Sequence, residues 1–368
     1  MRTSFRTVAA PTVAALALGL GLTACGAANE SGASATSGDG SKLTGTLNGA
    51  GSSAQEAAQG AWASGFQQAN PDVTVNYDPV GSGGGREQFL AGGVDFAGSD
   101  AYLDDEELAA SKKTCNGETA IEVPDYVSPI ALVYNLEGVT DLQLSAATAA
   151  KIFDGKITSW DDAAIEADNP DASLPAERIV PVHRSDDSGT TENFTEYLAA
   201  AGDGAWGHEA DGLWPVKSGE GAQGTSGVID AVTNGKGTIG YADESQAGDL
   251  SVATIKVGEE YVAPSAEAAS KVVDVSPRVE GRSDNDMAID VDRTTTEPGA
   301  YPLVLVSYVI ACPTYADQAK ADLVKGYLTY VLGSDGQQAA AKAAGSAPLG
   351  SEFSKDAVAA AEKITAAS

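Results

Sequence analysis

Segments with the composition of buried strands alternate with helical patterns along most of this chain, and this alternation limits the fold more than any other feature. Strand-like runs include residues 73–77, 179–183 and 303–310. Residues 54–68 and 190–200, which lie between such runs, place apolar side chains at spacings of three and four, as amphipathic helices do. The alternation favours a layered α/β architecture over an all-β or all-α one.

Length and charge narrow the classes of function. A chain of 368 residues predicts about two domains of roughly 100–200 residues each. With 52 acidic and 22 basic residues the formal net charge is −30, and nucleic-acid binding needs clustered cations, so we expect no nucleic-acid partner. His183 and His208 are too few for a His-rich metal centre, and we expect neither a metal nor a cofactor.

Residues 1–24 predict a lipoprotein signal peptide. Arg2 and Arg6 precede an apolar run that is too short and too rich in Ala and Gly for a membrane span. The run ends in Leu22-Thr23-Ala24-Cys25, which is similar to a bacterial lipobox, so we expect a lipid on Cys25 that anchors an extracytoplasmic protein to the cell membrane. An ordinary export signal with an incidental cysteine is the alternative. Residues 25–42 predict a flexible tether, because they are mostly small and polar.

The remaining cysteines are Cys115 and Cys312. Export from the cytoplasm exposes a protein to oxidising conditions that favour a disulfide. The sequence alone gives no distance between the two residues, so a disulfide and two free thiols both remain open.

Four short segments rich in Gly and Ser follow predicted strands, and three of them precede predicted helices. They are residues 49–53, 81–85, 98–100 and 184–190. Helix N-termini present unpaired N–H groups and a positive dipole end, glycine lets a ligand approach the backbone, and hydroxyl groups add donors. One such segment is usually a turn or a cap. Four together predict a binding site for a small oxyanion.

Two glycine-rich patterns do not indicate nucleotide binding. Residues 81–85 are not followed by Gly-Lys-Ser or Gly-Lys-Thr, so they do not form a P-loop. Residues 235–240 fit Gly-x-Gly-x-x-Gly, but they follow a helical stretch and precede a strand, which is the reverse of a dinucleotide-binding fold. We interpret them as a helix end and a turn.

From about Leu43 to the C-terminus, an ordered set of motifs resembles the periplasmic-type phosphate-binding proteins, the substrate-binding lipoproteins of phosphate ABC importers. The motifs lie at residues 48–51, 80–85, 94–101, 152–162, 183–190 and 237–241. The resemblance implies a type II periplasmic-binding-protein fold, in which two α/β domains joined by a two-strand hinge enclose phosphate in a cleft. We place domain I at residues 43–127 and 303–368, and domain II at residues 128–302. The permease subunits of an importer are the implied partners.

The resemblance also implies a set of phosphate contacts. From the first domain these are Ser53, the backbone N–H of Ala54, Ser82 and Asp100. From the second they are Arg184, Ser188, Gly189 and Thr190, with Asp186 holding Arg184.

The chain departs from the family pattern at three places. It has Ser53-Ala54-Gln55 where Thr-Phe-Pro is common, His183 where Arg is common, and Asp187 where Gly is common. The first change is mild because Ser53 keeps a hydroxyl group. Asp187 adds a carboxylate beside the predicted anion site.

Other interpretations remain open. A secreted phosphohydrolase would use Ser188 or Ser53 as its nucleophile, although the sequence offers it no evident base or metal-ligand cluster. A binding protein for sulfate or molybdate would keep the fold and change the anion. In the plainest interpretation Arg184 and Asp186 would be an exposed ion pair, and Asp100 would cap a helix that begins near Asp104 or only end a strand.

Overall fold

The structure, a computed structural model, describes residues 42–283 and 285–367. The predictions for the signal peptide, for Cys25 and for residues 25–41 of the tether lie outside the described residues. Strands of the described part are β1 (Gly45–Gly51), β2 (Val73–Asp78), β3 (Phe96–Ser99), β4 (Ile121–Asn135), β5 (Gln143–Leu144), β6 (Val180–Arg184), β7 (Glu220–Ala222), β8 (Thr238–Asp243), β9 (Ser251–Val252), β10 (Thr254–Val257), β11 (Glu260–Val262), β12 (Val304–Ala311), β13 (Thr314–Tyr315) and β14 (Thr365–Ala366).

Helices alternate with these strands, as the sequence pattern predicts. They are α1 (Glu56–Ala69), α2 (Ser82–Leu90), α3 (Asp105–Thr114), α4 (Ala146–Phe153), α5 (Ala163–Asp168), α6 (Gly189–Ala201), α7 (Gly224–Asn234), a 3-10 turn (Glu244–Gln246), α8 (Ala266–Val275), α9 (Gln318–Leu332), α10 (Ser334–Ala344) and α11 (Ser351–Glu362). Among the described residues, no helix combines the length and the apolar composition that a membrane crossing requires.

Nine strands form one mixed sheet in the order β2-β1-β3-β12-β4-β8-β6-β7, with β9 also paired to β4. Strand β4 changes partner along its length: residues 121–129 pair with β12 and residues 130–135 pair with β8. It therefore joins a first strand group (β1, β2, β3, β12) to a second strand group (β6, β7, β8, β9). The predicted domain boundary after residue 127 lies close to this change of partner and stays a prediction.

The carboxyl ends of parallel strands bring the Gly- and Ser-rich segments to the same edge of each group. Strands β1, β2 and β3 run parallel in the first group, as do β6, β7 and β8 in the second. Helices α1, α2, α6 and α7 begin just after β1, β2, β6 and β7. Ligands of open α/β sheets bind outside the carboxyl ends of the strands, so this edge is the expected place for a site.

Aromatic packing fixes the first strand group against its helices. Trp62 and Phe66 form the buried face of α1, and the Phe66 ring meets the edge of Tyr327 with centroids 5.3 Å apart. Phe96 of β3 lies at the same distance from Tyr327. Each fully buried large apolar side chain contributes about 1.5–3 kcal/mol, so this contact between α1, β3 and α9 holds the turn before α1 in place.

The first half of β4 was not predicted, because Pro and acidic residues are rare inside strands. The structure accommodates Pro124 at a β-bulge: Ser307 faces Tyr126 and Tyr308 faces Pro124, which leaves Asp125 as the extra residue. The interpretation of residues 235–240 is correct, since α7 ends at Asn234 and β8 begins at Thr238.

Cys115 and Cys312 are joined by a disulfide in the structure, with Cα atoms 5.0 Å apart. Cys115 follows α3 and Cys312 follows β12, and both lie in a small apolar cluster with Phe89 and Ile310. The bond spans 197 residues of sequence. Closing so long a loop restricts the unfolded chain, and native disulfides typically stabilise by about 2–5 kcal/mol.

Candidate functional site

Residues from both strand groups meet at the carboxyl edge of the sheet. The hydroxyl oxygen of Ser82 accepts a hydrogen bond from the Asp100 N–H at 3.1 Å, and the Thr190 hydroxyl donates to Oδ2 of Asp100 at 2.9 Å. A Cβ atom placed on Gly189 would lie 2.9 Å from Oγ of Ser82, so only glycine fits there without displacement. Ser82 and Asp100 of the first group therefore contact Gly189 and Thr190 of the second.

A second set of contacts crosses between the groups at the start of α1 and α7. Oγ of Ser53 lies 3.0 Å from Oγ1 of Thr225 and accepts the Thr225 N–H at 3.1 Å. The adjacent Gly224 N–H donates to Oδ1 of Asp186 at 3.1 Å. These bonds place Ser53 of the first group beside the acidic partner of Arg184.

Arg184 is buried, with a side chain only 2% exposed, so the interpretation as an exposed ion pair is wrong. Its Nε donates to Oδ1 of Asp186 at 2.8 Å, and its Nη2 donates to Oδ2. Burial raises the pKa of Asp186, but the hydrogen bond and charge of Arg184 and the Gly224 N–H outweigh it and hold the pKa below its usual value. An ionised Asp186 therefore fixes the guanidinium and leaves the Nη1 hydrogens outside this pair.

Asp100 lies at the end of β3 and does not cap α3, whose N-cap is Asp104. Oδ1 of Asp100 accepts from the Ser307 hydroxyl at 2.7 Å, and Oδ2 accepts from Thr190. Its backbone carbonyl accepts from Nδ2 of Asn193 at 2.6 Å. A carboxylate thus stands at the centre of the contact between the strand groups with one hydroxyl donor on each oxygen.

The other two predicted contacts, Ala54 and Ser188, lie at helix beginnings. The Ala54 N–H donates to Oγ of Ser52 at 3.1 Å, in the turn before α1. Oγ of Ser188 accepts the Thr191 N–H at 3.3 Å, which makes Ser188 the N-cap of α6. All eight predicted contacts therefore lie at one edge of the sheet, close to the beginnings of α1, α2 and α6.

His183 and Asp187, the two titratable residues that depart from the family pattern, add no cation at this edge. The His183 ring stacks on Trp214 with centroids 5.0 Å apart, and burial lowers the pKa of His183 despite a bond to the Arg184 carbonyl. Asp187 packs its carboxyl group on Gly83, where a Cβ atom would lie 2.1 Å from the carboxyl carbon. Burial raises the pKa of Asp187, and Arg86 opposes this in part. The extra carboxylate therefore packs against the first turn of α2.

Sequence reasoning missed four side chains that organise these residues. Thr225 follows Gly224 at the start of α7, and this Gly/Ser/Thr-rich helix start after a strand has the composition of the four selected segments, so it could have been found. Ser307 is a single polar residue in an otherwise apolar strand. Asn193 and Gln246, whose Nε2 donates to the Ser53 carbonyl at 2.9 Å, carry no sequence signal. Within residues 42–283 and 285–367, no three or more His, Cys, Asp or Glu side chains are grouped as metal ligands.

A buried polar group lies beneath the turn that carries Ser53. Oδ1 of Asp125 accepts from Nε2 of Gln55 at 3.3 Å, while its Oδ2 is buried with no hydrogen-bond partner in the described part of the chain. Burial, and after it the charge of Asp100, raise the pKa of Asp125 well above its usual value. Gln55 therefore connects the turn before α1 to the bulge of β4.

Replacing Asp125 by Asn is expected to raise the free energy of unfolding more at pH 8 than at pH 5. Because the folded state raises the pKa of Asp125, its contribution to stability is complete below the unfolded pKa of about 3.9 and is lost as pH rises through the folded value. Because Asn cannot ionise, the variant does not lose this stability as the pH rises. Urea unfolding of both proteins at the two pH values, without phosphate, measures the difference.

The matched control for this measurement is Asp249→Asn, which removes an exposed carboxylate between the 3-10 turn and β9. It should change the free energy of unfolding by a similar small amount at pH 5 and pH 8. An equal effect of Asp125→Asn at both pH values would contradict a pKa of Asp125 raised well above its usual value in the folded chain.

The amino-acid sequence of this chain matches a protein family and several known proteins. A family profile described as a PBP superfamily domain matches residues 31–335. Phosphate-binding protein PstS 3 of Mycobacterium tuberculosis is 40% identical over 335 residues, which cover 88% of this chain and 90% of that protein. Phosphate-binding protein PstS 2 of the same organism is 36% identical over 368 residues, which cover 96% and 98%.

Solved structures share the fold at lower identity. A high-affinity periplasmic phosphate-binding protein named PfluDING, solved with bound phosphate, is 24% identical with a TM-score of 0.71, covering 86% of this chain and 93% of that one. A phosphate-binding protein from Stenotrophomonas maltophilia is 21% identical with a TM-score of 0.67, with the same coverage of 86% and 93%. The expected α/β fold of the type II periplasmic binding proteins is thereby confirmed.

Proposed function

Because this chain belongs to the PstS phosphate-binding proteins of the PBP superfamily, we propose that it binds inorganic phosphate between its two strand groups and delivers the anion to an ABC importer. The observation that carries the proposal is the convergence of buried Arg184 with the beginnings of three helices, α1, α2 and α6, at one edge of the sheet. Helix beginnings and a fixed guanidinium are the donors that a phosphate ion needs.

The predicted contacts have three kinds of role in this proposal. Arg184, oriented by Asp186, supplies charge from the second strand group. The remaining donors replace the water shell of the anion with hydroxyl and N–H groups, and the Asp100 carboxylate accepts a hydrogen bond from a protonated oxygen of phosphate. The donors are Ser53, the Ala54 N–H, Ser82, Ser188, Gly189 and Thr190.

Capture and release require the two strand groups to separate. Ser82, Asp100 and Arg184 are almost fully buried, so an anion cannot reach them while the groups stay in contact. We assign the moving parts to residues 43–127 with 303–368 and to residues 128–302. Phosphate would favour closure because only the closed arrangement offers it both sets of donors. The closed form would then be the one that permease subunits recognise.

Binding without catalysis fits the serine environments. The partners of Oγ of Ser53 are the hydroxyl and N–H of Thr225, and the partner of Oγ of Ser188 is the Thr191 N–H. None of these partners can remove a proton from a serine nucleophile as a carboxylate or an imidazole would. The relatives named above are phosphate-binding proteins, which supports a receptor over a phosphohydrolase.

Isothermal titration of the phosphate-stripped protein with phosphate, sulfate and molybdate, together with an assay on a chromogenic phosphate ester, tests the proposal. We expect one phosphate per chain and much weaker binding of sulfate. Sulfate or molybdate bound more tightly than phosphate would overturn the choice of anion, and turnover of a chromogenic phosphate ester would favour the phosphohydrolase.

We further propose that residues 1–24 are a signal peptide, that Cys25 carries the lipid, and that the body lies outside the cytoplasmic membrane on a tether. Cys25→Ala is expected to release the protein from the membrane fraction or to mislocalise it, and to leave phosphate binding by the body unchanged. Detergent-phase partitioning of the two proteins measures the anchor, with Cys115→Ala/Cys312→Ala as the control that keeps it. Equal partitioning of Cys25→Ala and the parent would contradict the lipid assignment.

A further inference from the structure

Asn193 lies on α6 in the second strand group, and its side chain reaches the first. Its Nδ2 donates to the carbonyl of Asp100 at 2.6 Å and to the carbonyl of Gly189 at 2.8 Å. Its Oδ1 accepts from Nη2 of Arg293. An Asn side chain has two N–H hydrogens, so both are used and the three partners permit only one orientation of the amide. Asn193 is 5% exposed and has no hydrogen left for an anion.

Arg293 continues this chain of hydrogen bonds away from the anion site. Its Nη1 donates to the carbonyl of Pro302 at 3.1 Å and to that of Val304 at 2.5 Å. Its Nη2 also bonds Oε2 of Glu196 at 3.0 Å, so the guanidinium is held by α6 and by the approach to β12 together. Arg293 is therefore fixed at the point where it meets Asn193.

The carbonyls that hold Arg293 lie where the chain passes between the strand groups. Leu303 stands between them, and its carbonyl accepts the Ile130 N–H at 2.9 Å. Ile130 is the first residue of β4 that pairs with β8. The two passages of the chain between the groups thus run side by side here, and a relative rotation of the groups would turn about this place.

We infer that Asn193 is a positioning residue that latches the closed cleft, with Arg293 holding its amide in the donating orientation. This inference rests on the phosphate-receptor function proposed above. The bond from Asn193 to the Asp100 carbonyl joins the two strand groups, so it must break before an anion leaves. A bond that exists only in the closed state slows release of any anion and does not touch the anion itself.

The Asn193→Asp substitution removes the donated bonds and keeps the accepted one, because a carboxylate still accepts from Arg293 but has no hydrogen to give to the Asp100 carbonyl. We expect phosphate to dissociate about tenfold to a hundredfold faster, the factor that follows from losing a buried bond and leaving its acceptor unpaired. The association rate should change much less than the dissociation rate, because most effects of mutations at one site lie in dissociation. Stopped-flow tryptophan fluorescence gives both rates, and titration with sulfate gives the phosphate-to-sulfate ratio, which should not change.

Two further variants complete the test. Asn76→Asp makes the same chemical change at an exposed position of β2 and should release phosphate at the parental rate. Asn193→Ala removes the latch without adding charge, and its melting without ligand shows whether it folds. It provides the measurement if Asn193→Asp does not fold.

The outcomes separate the latch from the proposed function. A parent that binds no phosphate in this series overturns the receptor function. A parent that binds phosphate, with a folded Asn193 variant that releases it at the parental rate, overturns the latch, even if that variant melts at a lower temperature. Faster release with an altered phosphate-to-sulfate ratio also overturns it, because Asn193 would then act on the anion.

Discussion

Replacing Arg184 by Ala should weaken phosphate binding by about a hundredfold to a thousandfold, and sulfate binding by a similar factor. Hydrogen bonds to charged groups contribute about 1.5–3 kcal/mol each, so the loss of one or two such bonds from the guanidinium gives a factor of this size. The variant removes a cation from the cleft and leaves Asp186 beside the anion without its partner. Titration of both proteins with each anion measures the effect.

Two controls separate charge from geometry at this position. Arg184→Lys keeps the positive charge but cannot make the two-point contact with Asp186, so it should recover only part of the lost affinity. Arg278→Ala removes a half-exposed cation paired with Asp356 at 3.2 Å and should bind phosphate as the parent does. Binding by Arg184→Ala within about threefold of the parent would be incompatible with an anion contact.

The alternation of strands and helices was predictable because it depends on local composition and on periodicity. Residues 73–77 and 303–310 show clear strand patterns, and both lie within a residue of β2 and β12. The first half of β4 was not predictable in this way. Pro124 and Asp125 are tolerated there because β4 forms a bulge where it pairs with β12, which is distant in sequence. Local composition carries no information about that pairing.

The residues of the candidate site also fall into those that local sequence predicts and those that only the fold brings together. Ser82, Arg184 and Gly189 lie in Gly- and Ser-rich turns, a composition that predicts close approach of a ligand to the backbone, so motif and resemblance were enough to select them. Ser307 and Asn193 act through contacts with Asp100 across 207 and 93 residues of sequence. Such partners depend on how the strand groups meet, which only the fold determines.

Replacing Asp100 by Asn should lower the preference for phosphate over sulfate by about tenfold to a hundredfold. Phosphate near neutral pH keeps at least one proton, which a buried carboxylate can accept in a charge-assisted bond. Sulfate has no proton, so its oxygen would face the Asp100 carboxylate without a hydrogen between them, in a cleft that excludes water. The hydroxyls of Ser307 and Thr190 occupy one site on each carboxylate oxygen and hold the group in place for this discrimination.

An amide at position 100 can donate to either anion, so sulfate should gain affinity while phosphate loses some. Ser307→Ala is the matched control, because it removes one hydroxyl donor from Asp100 and leaves the charge in place. It should weaken the binding of phosphate while the phosphate-to-sulfate ratio stays closer to that of the parent than in Asp100→Asn. If titration gives Asp100→Asn the same phosphate-to-sulfate ratio as the parent, Asp100 does not accept the phosphate proton. Selectivity would then arise from the donors of the second strand group.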